Sequence, residues 1–288
     1  MNAVLLALAA SGVWGVSDFL GGLRTRTLCL PMVLLLSQAA GLVVLLGALA
    51  LGGANPGSRP GALTASALVS AALAGACGVA ALGSLYLVTA RVGLTLVAPI
   101  SAVAASVPVL VGLTLGETLT AREGIGVVLA LVGALAVGLP GRGEPRARLD
   151  RWALAAGAAA ALGGAGFFVL IRDASQGGDP ALVTVAGRLC GVALVGAWAL
   201  GQWPQLRSET RPGPVALAAV AAIGVTDAVG ELCFATASTR APLSVVAPLA
   251  SLYPAVAVAL ALLVVRERLG RRGTAGIACA LAGAVLLG

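Results

Sequence analysis

The sequence predicts an all-α, polytopic integral membrane protein of ten transmembrane helices, arranged as two inverted five-helix repeats. Three observations carry that expectation. Of 288 residues, 59% are hydrophobic and only 10% charged, with a mean hydropathy of +1.04, outside the range of soluble globular domains. Apolar runs near or above the ~18 residues needed to cross a bilayer recur between short Arg- or Pro-marked breaks, and period-two alternation is absent, so the runs read as helices. Finally, the chain repeats itself. ETLTAREGIGVVLALVGALAVG, from Glu117 to Gly138, returns as ERLGRRGTAGIACALAGAVLLG, from Glu267 to Gly288, identical at nine of 22 positions at a constant offset of 150.

The spans follow in order. The first, residues 2–23, has no basic stretch ahead of it and no small-residue cleavage site, so it is expected to stay as a helix and not to be removed as a signal peptide. Residues 31–52, 62–88, 95–115 and 122–139 complete a first repeat expected over residues 1–141. A polar stretch, PGRGEPRARLDR from Pro140 to Arg151, follows, and within it residues 142–151 read as an inter-repeat loop too short for a domain. Residues 152–171, 181–201, 213–236, 243–265 and 272–288 make the second repeat, over 152–288. The register of the duplication holds upstream: RVGLTLVAP (Arg91 to Pro99) matches RAPLSVVAP (Arg240 to Pro248), and FLGGLR (Phe19 to Arg24) matches FFVLIR (Phe167 to Arg172) more loosely. An odd number of spans per repeat forces the second to enter the membrane from the opposite side. Inverted halves have two near-equivalent packings, and exchanging them opens a central cavity to alternate sides, which points to a carrier before a channel.

The net charge of +7 comes from 18 Arg with no Lys or His. In a chain with almost no soluble portion these arginines read as anchors to lipid headgroups, and nucleic-acid binding is not expected. Their distribution over the loops places both termini outside the cell. Five cysteines (Cys29, Cys77, Cys190, Cys233, Cys279) are scattered without a C-x-x-C pair, so neither a disulfide framework nor a metal site is expected. No nucleotide-binding loop or nucleophile motif occurs. The expectation is therefore no enzyme, no catalytic residues, no metal and no cofactor. The partners expected are a small-molecule substrate, a proton and the lipid bilayer of the inner cell membrane, which the chain crosses many times.

GVWGVSDFL in the first span, the Ala-Pro dipeptides of the fourth and ninth, and the G-E-x-L-T…G…G-A pattern across the fourth and fifth resemble EamA-type members of the drug/metabolite transporter superfamily. RERLGRRGTAGIACALAGAVLLG looks like the same signature in the second half. The resemblance covers the whole chain. It implies carriers of small metabolites such as amino acids, drugs or sugar phosphates, working without ATP. It also implies cytoplasmic termini, against the arginine distribution.

Features shared by both halves read as scaffold. Glu117 and Glu267 precede the fifth and tenth spans, where a carboxylate beside Arg122 or Arg268 can cap the helix start. Ala130, Ala134 and Gly138 recur every fourth residue, as do Ala280, Ala284 and Gly288, with Gly133 and Gly283 among them. Each set is a small-residue ridge for close helix contact, within a monomer or between the copies of a homodimer. Pro99 and Pro248 are helix-start or kink positions of the kind that mark sites in inverted-repeat carriers.

Features the halves do not share read as function. Ionisable groups inside spans are costly. Asp227 and Glu231 lie one helical turn apart on a common face, while their repeat counterparts are Gly78 and Leu82. Asp18 has Gly166 as counterpart, and Arg188 has Gln38 or a neighbour. Three carboxylates and one guanidinium in one apolar bundle should find each other or line a wet cavity. Like charges one turn apart compete for ionisation, which is how a proton-coupling carboxylate is made. The alternatives are a static ion pair at Arg188, or carboxylates at the membrane interface, which would suit Asp18 near its helix end. Trp14 and Tyr253 lie near mid-span, away from the interfacial belt, and Tyr86 toward the end of the third span; all three are candidates for cavity lining, against plain packing. Trp152, Trp198 and Trp203 read as interface anchors, and Ser101 offers a hydroxyl to cargo or to its own helix.

Two cargo readings remain. In the first, the chain exports a small polar or zwitterionic metabolite, amino acids leading, with Asp18, Asp227 and Glu231 meeting the ammonium or a proton and Arg188 or a helix N-terminus the carboxylate. In the second, it is an efflux carrier for lipophilic cations; an aromatic content of 3% speaks mildly against that.

Overall fold

The computed structural model describes residues 2–51, 63–91, 97–137, 151–208, 212–260, 263–264 and 271–287, and helices account for nearly all of them. In chain order these are α1 (Ala3–Arg24), α2 (Leu30–Ala50), α3 (Ala65–Arg91), α4 (Val97–Thr114), α5 (Ala121–Val137), α6 (Arg151–Gln176), α7 (Pro180–Gly201), α8 (Trp203–Ser208), α9 (Pro214–Ser238), α10 (Leu243–Ala250), α11 (Tyr253–Leu260) and α12 (Arg271–Leu287). Six of them (α1, α2, α3, α6, α7 and α9) are long and apolar enough to cross a membrane. The chain is an all-α, polytopic membrane protein.

Helix ends follow local chemistry. Asp179 caps α7 by accepting from the N–H groups of Ala181 at 2.8 Å and Leu182 at 3.4 Å, with Pro180 at the first turn where no N–H is needed. Thr120 and Glu123 form a reciprocal capping box ahead of α5: the Thr120 N–H donates to the Glu123 carboxylate at 2.8 Å, and the Glu123 N–H to the Thr120 hydroxyl at 3.2 Å. The start of α5 is thus not capped by Glu117, whose carboxylate serves another helix.

The ninth predicted span departs from expectation. Instead of one helix over 243–265 it is broken between Ala250 and Tyr253 into α10 and α11. Pro254 has no N–H to continue the ladder, and the chain turns tightly, with the Leu252 N–H donating to the Leu249 carbonyl at 3.3 Å. Pro248 lies inside α10 just before the break, so it is a kink-side proline; Pro99 lies near the start of α4, and nothing is described of its side chain or that of Ser101. The short α8 was not visible as an apolar run because it is one and a half turns long and polar. Glu267, Gly138 and Gly288 lie outside the described residues.

Lipid is as apolar as leucine, so spans gain little by hiding leucine from it and associate through close van der Waals fit. Leu162, Val43 and Val285 accordingly point outward. α3 packs along α6 and α9 along α1; α3 also meets α7 as α9 meets α2. Swapping the two halves of the chain maps each of these pairings onto the other. The closest approaches use glycine. A Cβ on Gly75 of α3 would fall on the Gly187 carbonyl of α7, and one on Gly224 of α9 on the Ser37 carbonyl of α2. Between α5 and α12, a Cβ on Gly133 would sit 2.7 Å from the Ala280 Cα, and one on Gly283 2.5 Å from the Ala130 nitrogen. The small-residue ridges therefore pack against each other inside one chain, and that face is not free for a second copy. Gly133→Leu is expected to cost about 1–3 kcal/mol through overpacking. Its melting midpoint in detergent checks this, and an unchanged midpoint would mean that α5 and α12 do not touch there.

Candidate functional site

Arg188 lies two turns into α7, and the i, i+4 spacing on α9 puts Asp227 and Glu231 on one face. The structure brings the three together. One Nη of Arg188 donates to Asp227 Oδ2 at 2.7 Å and to Gln38 Oε1 of α2 at 2.8 Å; the other donates to Glu231 Oε2 at 2.5 Å. Arg188 and Glu231 are only 4% and 5% exposed. The Arg188 Nε is buried without a hydrogen-bond partner among the described residues. Gln38 stands 150 residues before Arg188, so the two repeat counterparts are bonded to each other across the bundle.

These groups form one wall of a cavity of about 110 Å³. That is room for several waters or a small ligand, given the ~10–15 Å³ one water requires. Asp18 of α1 completes the charged wall, 7% exposed and within electrostatic reach of Asp227. Asp18 is buried on this cavity, and α1 runs on from it for a turn and a half to Arg24. Much of the rest of the lining is apolar, from Trp14, Phe167, Phe168, Tyr253, Leu82 and Ile100. Trp14 is its hub, with ring centroids 6.0 Å from Phe167, 5.9 Å from Phe168 and Phe234, and 6.3 Å from Tyr253. Its indole N–H donates to the Asp227 carbonyl at 3.2 Å, satisfying the polar atom and pinning α1 to α9. Gly78 and Leu82 of α3 line the same cavity as their counterparts Asp227 and Glu231. The two halves thus offer equivalent positions to one space, acidic in one half and apolar in the other.

Six sequence candidates meet at this cavity: Trp14, Asp18, Arg188, Asp227, Glu231 and Tyr253. Tyr86 does not line it. Its ring packs over Gly21, and its hydroxyl lies 3.5 Å from both the Ser17 hydroxyl and the Ser17 carbonyl, so plain packing wins there. The sequence does not single out Gln38, Phe167 or Phe168 as site residues. The signals were the placement of Gln38 opposite Arg188 in the repeat and the Phe-Phe doublet one turn before Arg172. Of the expected interface anchors, Trp198 and Trp203 are exposed, and Trp152 stacks under the Arg91 guanidinium at 4.2 Å.

Glu117 lies outside the spans, in the turn between α4 and α5. Its carboxylate accepts from the N–H groups of Leu243 and Ser244 at 2.9 Å each, the first turn of α10, and from Arg172 of α6 at 2.5 Å. Burial opposes its ionisation, but the two backbone donors and the Arg172 charge outweigh burial and hold its pKa below the usual glutamate value.

Residues 151–288 match the family model described as the EamA-like transporter family. The whole chain is similar in fold to a solved structure described only as the crystal structure of a protein, with a TM-score of 0.72 and 16% identity over 99% of this chain and 95% of that one. At that identity the likeness speaks to the fold alone. Among curated proteins, none matches the chain.

Proposed function

We propose that the chain, whose residues 151–288 match the EamA-like transporter family, is a membrane transporter: a secondary carrier, working without ATP, that exports small amino-bearing metabolites, amino acids first, by alternating access between two inverted repeats. The observation that carries this reading is the imbalance in the cavity: three carboxylates (Asp18, Asp227 and Glu231) face one guanidinium. A buried acidic excess calls for a cation, supplied by a proton in one phase of the cycle and by a substrate ammonium in the other. The unpartnered Nε–H of Arg188 is a donor for a substrate carboxylate, and its two Nη groups stay on Asp227 and Glu231. The cavity suits a compact zwitterion.

A second reading, efflux of lipophilic cations, draws support from the grouping of Trp14, Phe167, Phe168 and Tyr253 in the cavity lining. Thermal unfolding of the purified protein in detergent separates the two. A ligand at about 100 times its Kd stabilises by about 2.7 kcal/mol. The expected result is a selective upward shift with an amino acid, weakened in Glu231→Gln. Shifts with lipophilic cations alone would overturn the metabolite reading in favour of drug efflux.

A further inference from the structure

We propose that Glu117 is the positioning residue of a latch that holds one end of the transport cavity closed, a role that rests on the alternating-access reading above. The latch begins in the sequence Gly116-Glu117. Gly116 takes a φ of +88°, and α4 ends in a Schellman turn: the Gly116 N–H donates to the Leu113 carbonyl at 3.1 Å and the Glu117 N–H to the Gly112 carbonyl at 3.0 Å. That turn throws the Glu117 side chain back over α4, where a Cβ on Gly112 would collide with its carboxylate. Both glycines are thus required for the carboxylate to lie where it does.

From there the carboxylate ties three elements together. It caps α10 through Leu243 and Ser244 and pairs with Arg172 at the end of α6, while its own backbone closes α4. Each of these elements leads to the cavity wall. α4 carries Ile100 and Ala104, α6 carries Phe167 and Phe168, and α10 leads through the break at Ser251 to Tyr253. α10 is buried along its whole length, so it can move only as a unit with what holds its first turn. The contact joins the first half of the chain to the second at a separation of 126 residues. Releasing Glu117 therefore frees three wall elements at one end while the charged wall on α7 and α9 stays bonded.

A stability role alone predicts loss of melting temperature with no change in which side the cavity faces. The test places one cysteine at Ala104, on the cavity wall, in the full chain with its five native cysteines replaced, and follows labelling by a membrane-impermeant thiol reagent from each side in intact cells and in inverted vesicles. Glu117→Gln is expected to raise labelling from the side bearing the Glu117 turn by about tenfold and to lower it from the opposite side, the population shift of about 1.4 kcal/mol. Arg172→Gln, which leaves the backbone bonds to Leu243 and Ser244 in place, is expected to shift it the same way by less. It keeps the test open should Glu117→Gln fail to insert. Two-sided labelling in the parent that neither variant changes would overturn the latch and leave the carrier reading standing. Labelling from one side only, in the parent and both variants alike, would overturn alternating access and the latch with it.

Discussion

Glu231→Gln is expected to abolish coupled transport while leaving insertion and folding intact. Glutamine keeps the size and the acceptor oxygen of glutamate, so Arg188 retains a partner for the Nη that now meets Glu231 at 2.5 Å. What is lost is the capacity to alternate between a charged and a neutral form on the wall of the cavity. A group positioned to take and release a proton contributes about 10²–10⁴-fold in rate where its chemistry is required. Gradient-driven accumulation of substrate in proteoliposomes is therefore expected to fall by about a hundredfold or more. Exchange of labelled for unlabelled substrate without a gradient should fall much less. Accumulation at the wild-type rate would remove Glu231 from the coupling step and leave Asp18 and Asp227 to be tested in its place.

The buried charges of the site were legible because charge in an apolar span has few innocent explanations. Asp18, Arg188, Asp227 and Glu231 stood out for that reason, and all four reach one cavity. Phe167 and Phe168 gave no such signal, since aromatic rings are at home in any apolar helix and only packing decides which of them face a cavity. Tyr86 was misleading in the opposite sense. Its hydroxyl needs a partner in an apolar helix, and that partner, Ser17, is a residue type common enough in helices to pass unnoticed. The helical class followed from hydropathy, but the break at Ser251 lay within an unbroken apolar run, where a composition window reads one helix. Glu117 illustrates the remaining limit. Its position ahead of α5 suggested a local cap, yet Thr120 and Glu123 already serve that end, and the donors it takes are 126 and 127 residues away. A local sequence window cannot contain such a bond.

Arg188→Leu is expected to be the most damaging single substitution in the chain. It leaves Asp227 and Glu231 facing each other without the cation they now share, and removing one partner of a buried ion pair costs about 3–5 kcal/mol. A lower melting midpoint and little correctly inserted protein are the expected observations. The informative comparison is with the combined Arg188→Leu, Asp227→Leu, Glu231→Leu variant. Replacing a whole buried ionic cluster by apolar side chains is commonly neutral or stabilising, by up to about 4 kcal/mol. The combined variant is therefore expected to melt near or above the wild type while transporting nothing. That outcome would mean the cluster is costly to the fold and is kept for what it does to the cargo. A combined variant as unstable as Arg188→Leu alone would instead mean that the bonds from Arg188 to Gln38, Asp227 and Glu231 hold α2, α7 and α9 in place, and that the cluster is the static ion pair allowed for by the sequence.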